Sequence, residues 1–147
     1  MFKIIRVSLV LVLMVIFTAG CNTETIKHHD IFTGEGSMWS AEYVQDVTEK
    51  IKPKVHETSK NYVFKLKYKG DSLDLAVIKQ FKYSFKGTAG GESRSQDGPV
   101  KLADLKFSHT GSTGSYERED SIIRVEVEWD GQKEQFELRK DPLSNEK

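Results

Sequence analysis

The chain has 147 residues, in which 22 Lys and Arg are balanced by 22 Asp and Glu, for a formal net charge of zero at pH 7. That balance gives it no bulk electrostatic reason to seek nucleic acid or an anionic surface. Its one cysteine, Cys21, excludes an intramolecular disulfide.

The first 21 residues carry an address. Lys3 and Arg6 form a short positive region, residues 8–17 are almost wholly apolar, and Thr18, Ala19 and Gly20 are small residues directly before Cys21. This order of charge, apolar core and small residues is that of a secretory signal. The apolar run is shorter than the roughly 20 residues a membrane-spanning helix needs. A cysteine immediately after the small residues resembles the signal of bacterial lipoproteins, although Thr18 stands where leucine is usual. The resemblance implies cleavage between Gly20 and Cys21, with S-diacylglycerol and N-acyl groups on Cys21. At about 0.8 kcal/mol per buried methylene, two or three fatty chains hold for practical purposes permanently. The expected organisation is a signal peptide over residues 1–20, a lipidated N-terminus and polar tether over 21–33, a folded domain over 34–141, and a flexible tail over 142–147.

Residues 22–33 (NTETIKHHDIFT) are polar and show no sustained period, which is why they read as tether. His28 and His29 are adjacent, so in an extended chain they point to opposite faces and do not converge on a metal. From Trp39 the period is two. Trp39, Ala41 and Tyr43 alternate with polar residues, as do Tyr62, Phe64, Leu66 and Tyr68, and then Phe81, Tyr83 and Phe85. Val44, Val47 and Ile51 are spaced by three and four, so a short helical piece competes with strand over residues 41–54, and strand is preferred for its first half. Residues 87–99 (GTAGGESRSQDGP) and 110–120 (TGSTGSYERED) read as loops.

The last unit is the most specific. Ile123, Val125, Val127 and Trp129 share a face, Asp130-Gly131 is a favoured dipeptide for a type I′ turn, and Phe136 and Leu138 return to that face. The turn fixes the register. Val125 falls opposite Phe136, Ile123 opposite Leu138, Arg124 opposite Glu137 and Glu128 opposite Lys133. Short strands separated by turns point to an all-β, antiparallel β-sandwich, immunoglobulin-like in general shape.

No nucleotide cradle, zinc motif or nucleophile elbow is present, and GTAGGES lacks the lysine and following helix of a phosphate loop. Ser108 and Ser112 near His109 do not define a triad, and His56 lies beside turn-like sequence. Glu134 shares a face with Val127, Trp129 and Phe136, so it belongs at the rim of the hairpin or on a structural hydrogen bond to a turn amide or a tyrosine, ahead of a binding or acid/base role. Trp39, Trp129, Tyr62, Tyr68 and Tyr83 take inward positions, where core packing outweighs a ligand platform. No catalytic, metal or cofactor-binding residue is assigned.

GEGSMW (residues 34–39), YKGD (residues 68–71), Gly90-Gly91 and WDGQKEQFEL (residues 129–138), behind the lipoprotein-type signal, resemble small cell-surface lipoproteins of bacillus-type Gram-positive bacteria, whose role is unassigned. The resemblance implies a lipid-anchored domain on the outer face of the cell membrane and carries no active site. The expectation is a non-catalytic binding module with no cofactor, tethered to the membrane through Cys21, with a protein or cell-wall partner and no nucleic acid. A small ligand-binding lipoprotein is the alternative, and an enzyme acting on envelope polymer is a weaker one.

Overall fold

The computed structural model describes residues 23–70, 78–99, 104–111 and 114–142. Among them there are eight strands and no helix: β1 (Glu24–Glu35), β2 (Trp39–Lys52), β3 (Val55–Tyr68), β4 (Gln80–Lys86), β5 (Gly91–Asp97), β6 (Asp104–Gly111), β7 (Ile123–Trp129) and β8 (Gln132–Lys140). They form one antiparallel sheet in the order β5-β4-β7-β8-β1-β2-β3-β6. The all-β antiparallel class read from the sequence is the class of the structure. The core, however, is enclosed by a single sheet that curls over on itself.

The curl follows from where the aromatic side chains meet. β3 and β4 lie far apart in the strand order, yet the rings of Phe64 and Phe85 stack with centroids 4.4 Å apart, and Trp39 of β2 reaches Phe81 of β4 at 5.3 Å. The two halves therefore face each other across the interior. They are joined by a short β1–β8 ladder, Phe32↔Lys140 and Thr33↔Arg139. Trp39, Phe32, Phe64, Leu66, Ile123, Val125, Val127 and Leu138 are essentially inaccessible to water, and each such side chain is worth about 1.5–3 kcal/mol of burial. The alternation that placed Trp39, Tyr62, Tyr68 and Tyr83 in the core is the alternation observed, with Trp129 partly buried against them.

The β7–β8 hairpin has the expected register. Ile123↔Leu138, Val125↔Phe136, Arg124↔Glu137 and Glu128↔Lys133 are all paired, and Asp130 and Gly131 have φ of 43° and 80°, as a type I′ turn requires. Asp130 also accepts hydrogen bonds from the main-chain N–H of Lys79 and Gln80, at 3.0 and 2.9 Å, so the turn closes the start of β4.

Three expectations are corrected. Residues 24–33 are not a tether: β1 begins at Glu24 and pairs along its whole length with β2, from Glu24↔Ile51 to Glu35↔Ser40. Its inward positions are Ile26, His28, Asp30 and Phe32, and the two polar residues among them hid the period of two. The second half of the 41–54 segment is strand as well, because β2 continues through Gln45 and Glu49, again polar residues at inward positions. Residues 91–97 form strand β5, paired to β4 from Gln80↔Asp97 to Lys86↔Gly91. As an edge strand with mostly exposed side chains it has no buried face and so no apolar alternation. Of the expected tail, residues 143–147 lie outside the described residues, as do the signal segment and Cys21.

Candidate functional site

At one end of the curled sheet the inward positions change from aromatic to polar. β1 contributes His28 and Asp30, β2 contributes Gln45 and Glu49, and β3 contributes His56. Residues 114–121 cross over them before β7, and the β4–β5 turn closes the side. The polar residues Asp30, Gln45, Glu49, Glu117 and Ser121 are buried here, and each has hydrogen-bond partners, as buried polar groups must.

Glu49 is the centre of one network. Its Oε1 accepts from His28 Nε2 at 2.9 Å and from the Tyr116 hydroxyl at 2.9 Å, and its Oε2 accepts from His56 Nε2 at 2.8 Å. His28 also stacks on Tyr116, with centroids 5.6 Å apart. Three adjacent strands and the crossing segment are thus tied to one carboxylate. The Tyr116 hydrogen bond, against an opposing cost of burial and helped by the histidines, holds the Glu49 pKa below the ordinary glutamate range. The same bond, with burial, raises Tyr116 above the usual tyrosine value.

Gln45 and Glu117 centre a second network. The Gln45 side chain donates to the Glu117 carbonyl at 2.6 Å and accepts from the Glu117 N–H at 3.0 Å, and it also donates to Asp30 Oδ2 at 3.0 Å. The Glu117 carboxylate, 2% exposed, accepts from the main-chain N–H of Thr88 at 3.0 Å and of Ala89 at 2.8 Å. A Cβ on Gly87 would collide with that carboxylate, so the turn approaches it only because residue 87 has no side chain. Asp30 also pairs with Lys140 at 2.9 Å, and Lys140 with Glu119 at 2.6 Å. Burial disfavours the Lys140 ammonium, but the bonds to Glu119 and Asp30 outweigh it and hold its pKa above the usual lysine value.

Beside these networks lies an open trough of about 850 Å³, lined by Glu49, His56, Lys86, Tyr116, Arg118 and Arg124 among others. It is mostly polar. Among the described residues, no cluster of three or more His, Cys, Asp and Glu could hold a metal ion.

The residues singled out in the sequence divide as follows. His28 and His29 do point to opposite faces: His28 turns in to Glu49, and His29 bonds Asp46 at 2.7 Å on the outside. His56 joins His28 on Glu49, a convergence that spacing alone did not reveal. Glu134 sits at the hairpin rim and accepts from the Met38 N–H, at 3.2 and 3.1 Å, and from Ser37 Oγ at 3.3 Å, closing the β1–β2 turn. Cys21, Ser112 and the side chains of Ser108 and His109 lie outside the described residues. Gln45, Glu49, Tyr116 and Glu117 were missed. The available signal was the alternation from Trp39, which, carried four residues past Gln45, puts Glu49 inward too.

Compared with protein-family models, with curated proteins and with solved structures, the chain finds no match in any of the three.

Proposed function

We propose that the protein is a lipid-anchored, extracytoplasmic binding module of a Gram-positive cell envelope, non-catalytic, and that the polar trough is its binding end. The observation that carries this reading is the position of the trough relative to Glu24, three residues after Cys21 in the sequence. Glu24 pairs with Ile51, which pairs with His56, so Glu24 and the trough residue His56 lie in one row, two strand spacings or about 10 Å apart. Cys21 is three residues before Glu24 and so reaches at most about 10 Å further. A lipid on Cys21 therefore holds the trough close to the outer face of the membrane.

The chemistry of the site favours binding over catalysis. A general acid or base works with a pKa tuned toward neutrality, whereas Glu49 is displaced the other way and already accepts three hydrogen bonds. The networks hold the backbone in shape and leave the outer side chains of the trough available. The trough volume lies within the range of small-molecule sites, which favours the ligand-binding lipoprotein as the second reading.

A photoreactive residue placed at Ser115, on the trough, tests the proposal in the full chain expressed in a Gram-positive host. It should capture envelope material in membranes, while the same residue at Gln132, on the far hairpin turn, should not. Capture from 132 and none from 115 would move the binding surface to the other end.

A further inference from the structure

Among the described residues, the trough carries three cations that form no ion pair. Lys86 of β4 and Arg124 of β7 are direct cross-strand partners, both are exposed, and like charges opposite one another are destabilising. Elsewhere in the same pair of strands the pattern is complementary: Lys82 faces Glu128. Arg124 has Glu137 as its neighbour on the other side, but Glu137 is held by Arg139 at 2.8 Å. Arg118 enters the same trough from the segment before β7. None of these three cations forms an ion pair among the described residues. The acids nearby compensate only in part. Glu49 is engaged by two histidines and a tyrosine, and Glu117 turns away onto the Thr88 and Ala89 amides. Asp120 is the one carboxylate on the trough without such partners.

We propose that Lys86, Arg118 and Arg124 form a phosphate-binding site, which takes the anionic phosphate of a mono- or diester. Lys86, Arg118 and Arg124 all line this one trough, and arginine binds phosphate through paired N–H donors. The bound anion would relieve the Lys86–Arg124 repulsion, and the hydroxyls of Thr88 and Ser115 on the same trough supply further donors. The chain as a whole is neutral, so this is a local site and not a bulk attraction. The inference rests on the trough being the binding end and names the chemistry it takes.

The test uses the full chain in an uncharged detergent and titrates glycerol phosphate against chloride at constant ionic strength. The readout is the side-chain Nε–H NMR signals of Arg118 and Arg124, with Arg139 as internal reference. Saturable shifts at Arg118 and Arg124, absent at Arg139, are expected. Arg118→Gln, Arg124→Gln and Lys86→Gln should each weaken binding about tenfold, the loss of one charged hydrogen-bonding group. Lys86→Arg should retain it, and Lys67→Gln, on the outer face of β3, should leave it unchanged. These side chains are exposed, so unchanged unfolding midpoints separate lost binding from lost fold. A second arm places the protein in nanodiscs of zwitterionic or anionic phospholipid without added phosphate. The same shifts in anionic discs alone assign the phosphate to a lipid headgroup, and shifts only with glycerol phosphate assign it to a soluble or polymer source. No saturable shift in either arm, or equal shifts at Arg139, would overturn the site. The intact mass of the same sample reports lipid on Cys21 separately, so a failed anchor is not mistaken for a failed site.

Discussion

Gln45 engages Glu117 as a neighbouring strand would, with its side-chain amide donating to the Glu117 carbonyl at 2.6 Å and accepting from the Glu117 N–H at 3.0 Å. The crossing segment has no strand partner at residue 117 and is held to β2 by this exchange. Removing the amide leaves a buried donor and acceptor unpaired, at about 1–3 kcal/mol each. Gln45→Ala is therefore expected to lose about 2–5 kcal/mol in urea unfolding, a large part of the total stability of a domain. A loss within the surface range of about 0.5 kcal/mol would mean that the segment is held by something else.

The fit of Gly87 against Glu117 predicts a coupled pair. Gly87→Ala drives a methyl group into the carboxylate and should cost about 1–3 kcal/mol, as overpacking does. Glu117→Ala removes the obstacle and also the acceptor for Thr88 and Ala89. The double variant should be less destabilised than the sum of the two, which a double-mutant cycle reads directly. Additive losses would contradict the contact.

The hairpin offers a contrast between its two faces. Phe136→Ala should cost about 3–5 kcal/mol, as a large-to-small change in a core does. Glu126→Ala, on the outer face and paired with Lys133 at 2.9 Å, should leave the denaturation midpoint almost unchanged. Equal effects in denaturant titration would refute the assigned faces.

How much of this was legible in the sequence depended on what occupied the inward positions. Where they are apolar, as at Ile123, Val125, Val127, Phe136 and Leu138, the alternation and the Asp130-Gly131 turn fixed both strand and register. Where they are polar, as at His28 and Asp30 of β1 and Gln45 and Glu49 of β2, the same alternation looked like tether or helix. The reason is physical: a polar inward residue is stable only through partners brought from distant parts of the chain, here Tyr116, Glu117 and Lys140. No local pattern encodes those partners. The polar end was thus the hardest part to read, and β5, exposed along its edge, was hidden for the opposite reason, having no face to bury.

Stability should fall on both sides of neutral pH. Glu49 has a folded-state pKa below its ordinary 4.5, so its contribution is present above that value and is lost as pH drops through the folded value. Tyr43 and Tyr62 are raised above 10.0, chiefly by burial, so their contribution is present below 10.0 and is lost as pH rises beyond it. Urea midpoints across this range should show both losses. Glu49→Gln should shrink the acid limb, to which Glu126 also contributes, and leave the alkaline limb in place; an acid limb unchanged in the variant would place its origin elsewhere.

The most direct measurement of the central claim is the mass of the N-terminal peptide of the mature protein, released from membranes of a Gram-positive host. A mature chain that begins at Cys21 and carries diacylglycerol on its sulfur is expected. An N-terminal peptide with an unmodified Cys21, or one that retains residues 1–20, would contradict it.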